Sequence, residues 1–228
     1  MNSIPLPRLP NPTPIWQETM DWQPNAEEVD RFQRLYEGIL AGNQQLNLTR
    51  ITEAEDFWEK HLWDSLRGIR AVWNEPIERA IDIGTGAGFP GFPIAMTHPN
   101  WQVTLLDSTQ KKVAFLQLMA ADLGLDNVKT IADRAEQLAR TKQHQAAYDL
   151  ASIRAVGSAS LCAQYALPLL KPGGLAVLYR GRWTDEETAS LTQTSQQLGA
   201  QIESIEAFTT PIAQGIRHCI YIRKFDRV

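Results

Sequence analysis

The residues with the clearest capacity for chemistry are a run of glycines and two carboxylates. They lie in Ala80-Ile-Asp-Ile-Gly-Thr-Gly-Ala-Gly-Phe-Pro-Gly91 and Val103-Thr-Leu-Leu-Asp-Ser108. Ala80 to Ile83 read as a short buried strand running into a glycine-rich turn and then a helix. A backbone without Cβ takes positive φ and lets a ligand approach closely. Pro90 suits the first turn of a helix, where its missing N–H costs nothing, and the free N–H groups at that helix start form an electropositive cradle. Asp107 ends a second apolar strand, placed to accept hydrogen bonds from two ribose hydroxyls. Strand, glycine turn, helix, strand and acid together make the front half of a nucleotide-type cofactor site.

The glycine spacing bears on which cofactor. Gly84-x-Gly86-x-Gly88 is the form common in S-adenosylmethionine (SAM) methyltransferases. Gly86-x-Gly88-x-x-Gly91 satisfies the dinucleotide fingerprint but starts late relative to the strand end. Asp82, just before the first glycine, suits a SAM site because it can order the loop. These residues favour SAM over a dinucleotide, and a purely structural glycine turn is the third reading.

Other candidates sit where strands should end, the edge at which open α/β sheets bind ligands. Asp133-Arg-Ala-Glu136 could flank an adenine or simply cap a helix. Ser152-Ile-Arg-Ala155 puts Arg154 at the expected centre of the site, and Tyr179-Arg-Gly181 brings up Arg180. Arg134, Arg154, Arg180 and Arg182 would form a local basic face for phosphates; the plainer reading makes them solvated charges or ion-pair partners. His61 and Asp64, three apart, share one side of a helix.

The elements that must position these residues follow from pattern. Residues 1–14 carry Pro5, Pro7, Pro10, Pro12 and Pro14 and read as an extended tail. A short helix is expected over 15–22. Another is expected from an Asn25 cap to about Ala41, ended by Gly42 and Asn43. A third should run from Glu53 to Trp73. Strands are expected near 79–84, 102–107, 127–132, 148–153, 174–180, 201–208 and 217–225, with helices near 91–97, 110–123, 134–140, 157–169 and 184–199. Lys171-Pro-Gly-Gly174 reads as a turn into the fifth strand. The last two strands are joined by too short a loop for a crossover and should pair antiparallel. The expectation is an α/β, Rossmann-like SAM-methyltransferase fold, a seven-stranded mostly parallel sheet with a closing hairpin. Its expected parts are the 1–14 tail, a helical extension over 15–76, and a compact SAM-binding unit over 77–228.

Composition sets limits. The 228 residues are 43% hydrophobic and 21% charged, which is ordinary for a globular chain and argues against disorder. The net charge of −4 does not announce a nucleic-acid binder. Cys162 and Cys219 are too few for a disulfide scaffold or zinc site and read as packing residues. No apolar run reaches membrane-spanning length and no secretion signal is visible, so a cytoplasmic protein is expected.

The chain resembles the glucose-inhibited division protein B family of bacterial 16S rRNA guanine-N7 methyltransferases. The stretches that carry the resemblance are Leu46-Asn-Leu-Thr49, Lys60-His-Leu-Trp-Asp-Ser65, 81–91, Leu105-Leu-Asp-Ser108 with Lys111 and Lys112, Asp133-Arg-Ala-Glu136, and Ser152-Ile-Arg-Ala155. The Gly88-Phe-Pro-Gly91 helix start is particular to this family. Arg180 stands where the family often has Lys, and Ile153 is an insertion in its usual Ser-Arg-Ala.

The resemblance implies SAM contacts at Gly84, Gly86, Phe89, Asp107, Ser108, Thr109, Ala135, Glu136 and Arg154. It implies RNA contact or site ordering at Asn47, His61, Asp64, Arg134 and Arg180. The implied partner is 16S rRNA or the small ribosomal subunit; separately, a monomer is expected, and a reaction that rests on positioning calls for no metal. Guanine N7 is an unprotonated lone pair, so no general base is expected, and Arg154 and Arg134 would act by positioning. The alternatives are a SAM methyltransferase of a small molecule or protein, an NAD-dependent oxidoreductase, and a non-catalytic ribosome-assembly factor.

Overall fold

The computed structural model describes residues 7–225. Two helices come first, α1 (Thr13–Met20) and α2 (Ala26–Leu46). A broken helical run follows: α3 (Ala54–Phe57), a π-helical segment Trp58–Trp63, α4 (Asp64–Arg67) and a 3₁₀ turn Arg70–Val72. Strands and helices then alternate as β1 (Arg79–Ile83), α5 (Gly91–Thr97), β2 (Gln102–Asp107), α6 (Gln110–Asp122), β3 (Val128–Ala132) and α7 (Ala135–Leu138). The chain continues through β4 (Tyr148–Arg154), α8 (Ala159–Ala166), β5 (Leu170–Arg180), α9 (Asp185–Gln197), β6 (Ala200–Thr209) and β7 (Ile216–Lys224).

The seven strands form one sheet in the order β3-β2-β1-β4-β5-β7-β6. Pairing is parallel from β3 through β5, and β7 then runs antiparallel to both β5 and β6. This is the fold class expected from the sequence. The order reverses at β1, which has β2 on one side and β4 on the other. That reversal opens the crevice in which such sheets hold ligands.

Both faces of the sheet are covered. Successive strand side chains point to opposite faces, so Val103 and Leu105 join the N-terminal helices in one core while Ile81, Ile83 and Leu106 join α8 in the other. Cys162 and Cys219 are free and buried within these cores. Burial pushes the Cys162 thiol up to about 11.

Several boundaries differ from the sequence reading, each for a local reason. Residues 1–6 of the proline-rich stretch lie outside the described residues. Of the rest, Thr13 and Pro14 already belong to α1, since proline is tolerated in a first turn. Leu9 N–H donates to Gln33 Oε1 at 2.8 Å and its side chain packs on the core. The α2 helix begins with the expected Asn25 cap, a capping box with Glu28, but runs through Gly42 and Asn43 to Leu46. A Cβ at Gly42 would meet Phe115 at 2.3 Å, so this glycine serves close packing. Asn43 turns its amide to Thr49, donating to its carbonyl at 2.8 Å and accepting its N–H at 2.9 Å.

The single helix expected over 53–73 is broken at Trp58–Trp63. No Gly or Pro marks the break. It is held by buried side chains, with Glu59, His61 and Asp64 all engaged with other parts of the chain. The Lys171–Gly174 turn is a bulge inside β5: β4 pairs Tyr148 with Leu170 and then Leu150 with Leu175. A Cβ at Gly174 would stand 2.9 Å from the Lys171 carbonyl oxygen, which requires the glycine there.

Candidate active site

The glycine turn leaves β1 at Gly84, whose φ is +67°, so the first glycine is at the strand end as the SAM spacing requires. Asp82 holds the turn from beneath. Its carboxylate accepts from Thr85 Oγ1 at 2.6 Å, Gly91 N at 2.8 Å and Ser152 Oγ at 3.1 Å. Burial raises its pKa to about 6 against the pull of these donors. Gly91 opens α5 directly after Pro90, and a Cβ there would meet Leu105 Cδ2 at 2.1 Å.

Asp107 ends β2 and faces the turn. Its two oxygens accept from Gly86 N at 3.0 Å and Thr109 N at 2.8 Å. An ionised carboxylate offers about four lone-pair sites, so two remain for hydroxyl donors. Above it opens a cleft of about 430 Å³ lined by Gly84, Asp107, Ser108, Thr109 and the Arg134–Glu136 turn. That volume lies in the range of small-ligand sites, roughly 300–1,000 Å³. A carboxylate with acceptor capacity to spare, a glycine backbone and a turn on the cleft's far side are a donor and acceptor set that fits the adenosine half of SAM.

Arg154 lies elsewhere. It lines a second basin of about 380 Å³ with Asp64, Tyr179, Arg180, Arg182 and Arg217. Its Nη1 donates to the Lys60 carbonyl at 2.8 Å and to Asp64 Oδ2 at 3.1 Å, and its Nη2 donates to His61 Nδ1 at 3.2 Å. Guanidinium only donates, so His61 Nδ1 is bare and Nε2–H donates to Thr49 Oγ1 at 3.0 Å. Burial first, then the charges of Arg154 and Lys60, hold the His61 pKa well below the usual range and keep the ring neutral. The ring stacks on Phe89, with centroids 4.2 Å apart and planes 6° from parallel.

Among the residues singled out in the sequence, Gly84, Asp107, Ser108, Thr109, Arg134, Ala135 and Glu136 therefore meet in the first cleft. Gly86 borders it through its bond to Asp107. Phe89 is buried under the loop. Arg154, His61 and Asp64 form one cluster, with Arg154, Asp64 and Arg180 on the second basin. Arg134 is exposed at the cleft lip, 3.5 Å from Glu136. Asp133 caps nothing at its own helix and accepts the Arg134 N–H at 2.7 Å. Asn47 is exposed at the end of α2 and lines neither basin.

Sequence reasoning missed Tyr165 and Val156 in the cleft and Arg217 in the second basin. Arg217 arrives on the closing hairpin, and no local pattern links it to Arg154. Among the described residues, no group of three or more His, Cys, Asp or Glu is placed to hold a metal ion. No helix there is long and apolar enough to cross a membrane.

Comparison with known proteins agrees with this geometry. A family model, GidB, described as rRNA small subunit methyltransferase G, matches residues 28–219. The ribosomal RNA small subunit methyltransferase G of Nostoc punctiforme is 58% identical over 220 residues, covering 95% of this chain and 90% of that protein. Cofactor-bound Rv0187 from MTB superposes with a TM-score of 0.59 at 19% identity, over 90% of this chain and all of that one. The [4+2]-cyclase SpnF gives a TM-score of 0.59 at 16% identity, over 90% and 97% of the two chains. These structures share the fold alone, and a fold does not fix a reaction.

Proposed function

The chain belongs to the GidB family, rRNA small subunit methyltransferase G, and from that membership we propose that it is a SAM-dependent methyltransferase of guanine N7 in the 16S rRNA of the small ribosomal subunit. The observation that carries the reading is the meeting of two unlike basins at the β1/β4 switch point. The cleft built on Asp107 and the glycine turn lies over β1 and β2, and the arginine basin lies over β4 and β5. Between them runs the β4 exit, with Arg154 and Ala155 on the basin and Val156 on the cleft.

When bound, SAM supplies an activated methyl group on a positively charged sulfur. Asp107 would accept the ribose hydroxyls, Ser108 and Thr109 would close that side, and the Ala135–Glu136 turn would flank the adenine. Gly84 and Gly86 let the backbone lie against the ligand, with Phe89 supporting the loop from beneath. Guanine N7 has no proton to lose, so the chain's task is to hold the base at the cleft and exclude water; well-oriented reactants reach effective molarities on the order of 10⁵ M.

Arg154 keeps its Nε–H and one Nη2–H without a partner among the described residues. We assign these donors to guanine O6 or an adjacent phosphate, as arginine commonly reads guanine edges. His61 and Asp64 position Arg154. Arg180 and Arg134 would face RNA at the basin and at the lip, and Asn47 would meet RNA beyond the site. The proposed working form is a cytoplasmic monomer. The test is transfer of labelled methyl from SAM to small subunits from cells lacking the protein, with the product nucleoside identified by mass. A single 7-methylguanosine in 16S rRNA is expected; SAM binding without transfer to subunits would overturn the acceptor.

A further inference from the structure

The arginine basin continues into a second groove, of about 710 Å³, lined by Gly181, Arg182, Trp183, Thr184, Ile216 and His218. Gly181 and Arg182 line both, and Arg217 of the basin lies between Ile216 and His218 on β7. The groove is built rather than incidental. Trp183 Nε1 donates to Thr188 Oγ1 at 2.8 Å, which fixes the indole by one edge. His218 Nδ1 donates to the Gly181 carbonyl at 2.7 Å, which ties the 181–184 turn to β7. Ile216, 68% exposed, lines the same groove as Trp183.

The charges here differ in kind from those deeper in. Arg154 and Arg180 are matched by Asp64 and Glu187. The side chains of Arg182 and Arg217 have no ion pair or hydrogen bond among the described residues. An apolar, aromatic-lined groove flanked by unmatched arginines is the surface that unpaired nucleotides use, with bases stacking on rings and phosphates on cations. Sequence-specific RNA recognition favours such splayed, stacked bases. The shared lining at Gly181 and Arg182 puts the groove within one nucleotide's reach of a base held in the basin.

Resting on the rRNA reading of the basin, we propose that this groove binds a nucleotide flanking the target guanine. Its base lies against Trp183 and Ile216 and its phosphates against Arg182 and Arg217. The test is steady-state methyl transfer to small subunits from cells lacking the protein, with SAM affinity measured separately by calorimetry. Trp183→Ala raises KM for subunits by about ten-fold, the size of one lost base–aromatic stack, with kcat and SAM affinity at the wild-type value. Trp183→Phe loses the bond to Thr188 but keeps a ring, and it recovers most of the KM. Arg182→Ala removes an exposed side chain with no partner, so it carries the test even if Trp183→Ala does not fold. It lowers the slope of log KM against log salt by roughly 0.7, the value for one phosphate contact on a single strand. An unchanged KM in Trp183→Ala, a Trp183→Phe as impaired as the alanine, or an unchanged salt slope overturns the subsite. No transfer by the wild-type chain overturns the rRNA reading itself, and the groove with it.

Discussion

Arg154 Nη2 donates to His61 Nδ1 across 3.2 Å, joining the end of β4 to the π-helical segment 93 residues earlier. The same guanidinium holds Asp64, whose side chain is only 9% exposed. His61 in turn lies flat on Phe89 of the glycine turn. Arg154 thus ties the end of β4 to the broken helical run and, through His61, to the glycine turn.

Replacing Arg154 with Ala should lower turnover on small subunits by about 10²-fold, the scale of a misplaced reactant, while SAM affinity stays close to wild type. Parallel methyl-transfer kinetics and calorimetry check this. A collapse of SAM binding equal to the loss of turnover would make Arg154 a cofactor residue instead. Stability should fall too, because Asp64 would be left buried and unpaired, a cost of about 3–5 kcal/mol.

Asp107→Ala should weaken SAM binding by about 10- to 100-fold, as expected for losing hydrogen bonds to a charged group worth about 1.5–3 kcal/mol. The same change leaves the Gly86 and Thr109 N–H groups without their acceptor. Calorimetric titration measures it, and an unaltered affinity would remove Asp107 from the cofactor site.

Acid should destabilise the protein, and Asp82 should oppose the loss. The pKa of His61 is held well below its ordinary value and that of His98 is lowered to about 4, in both cases chiefly by burial. Both therefore bind protons more readily unfolded, and stability falls as pH drops below about 6.5. Asp82 has the opposite sign: its pKa is raised to about 6, so the folded chain takes up this proton first. Asp82→Asn removes that contribution, and its stability relative to wild type should decline steadily from pH 7 to pH 5. Urea unfolding at several pH values tests this; a pH-independent difference would mean Asp82 titrates as an ordinary carboxylate.

Glu59 secures the loop between β6 and β7. Its buried carboxylate accepts from Ile212 N at 2.5 Å and Ala213 N at 3.0 Å. Glu59→Ala should cost about 1–3 kcal/mol for each donor left unsatisfied and raise amide exchange at Ile212 and Ala213. Exchange unchanged at these two amides would show that the loop is held by other contacts.

The sequence made the sheet and the glycine turn legible because their requirements are local. Apolar runs between Ala80 and Ile83 or Val103 and Leu106 have few other uses, and the closing hairpin followed from the shortness of one loop. The turn at Gly84 needs a positive φ, and Asp82 and Asp107 sit beside it in sequence or one strand away. What escaped depends on distant pairs. The apolar spacing of 57–66 reads as an unbroken helix, and only the contacts of Glu59, His61 and Asp64 with β4 and the last hairpin explain the π-helical break. Gly42 looks like a terminator until Phe115 is seen packed against it. The local reading expected Arg154 at the centre of the site and among the cofactor contacts; it lines the second basin rather than the cleft, and its bonds to Lys60, His61 and Asp64 were outside the reach of any spacing argument.

The β4 exit is a single wall with a ligand site on either side, Ala155 facing one and Val156 the other. A wall shared in this way makes the two occupancies a linked equilibrium. By whatever factor the methyl donor tightens the grip on rRNA by setting this segment, rRNA must tighten the grip on the donor by the same factor. The consequence is thermodynamic: residues 154–156, which separate the two basins, are where a change on one side would be felt as a change of affinity on the other.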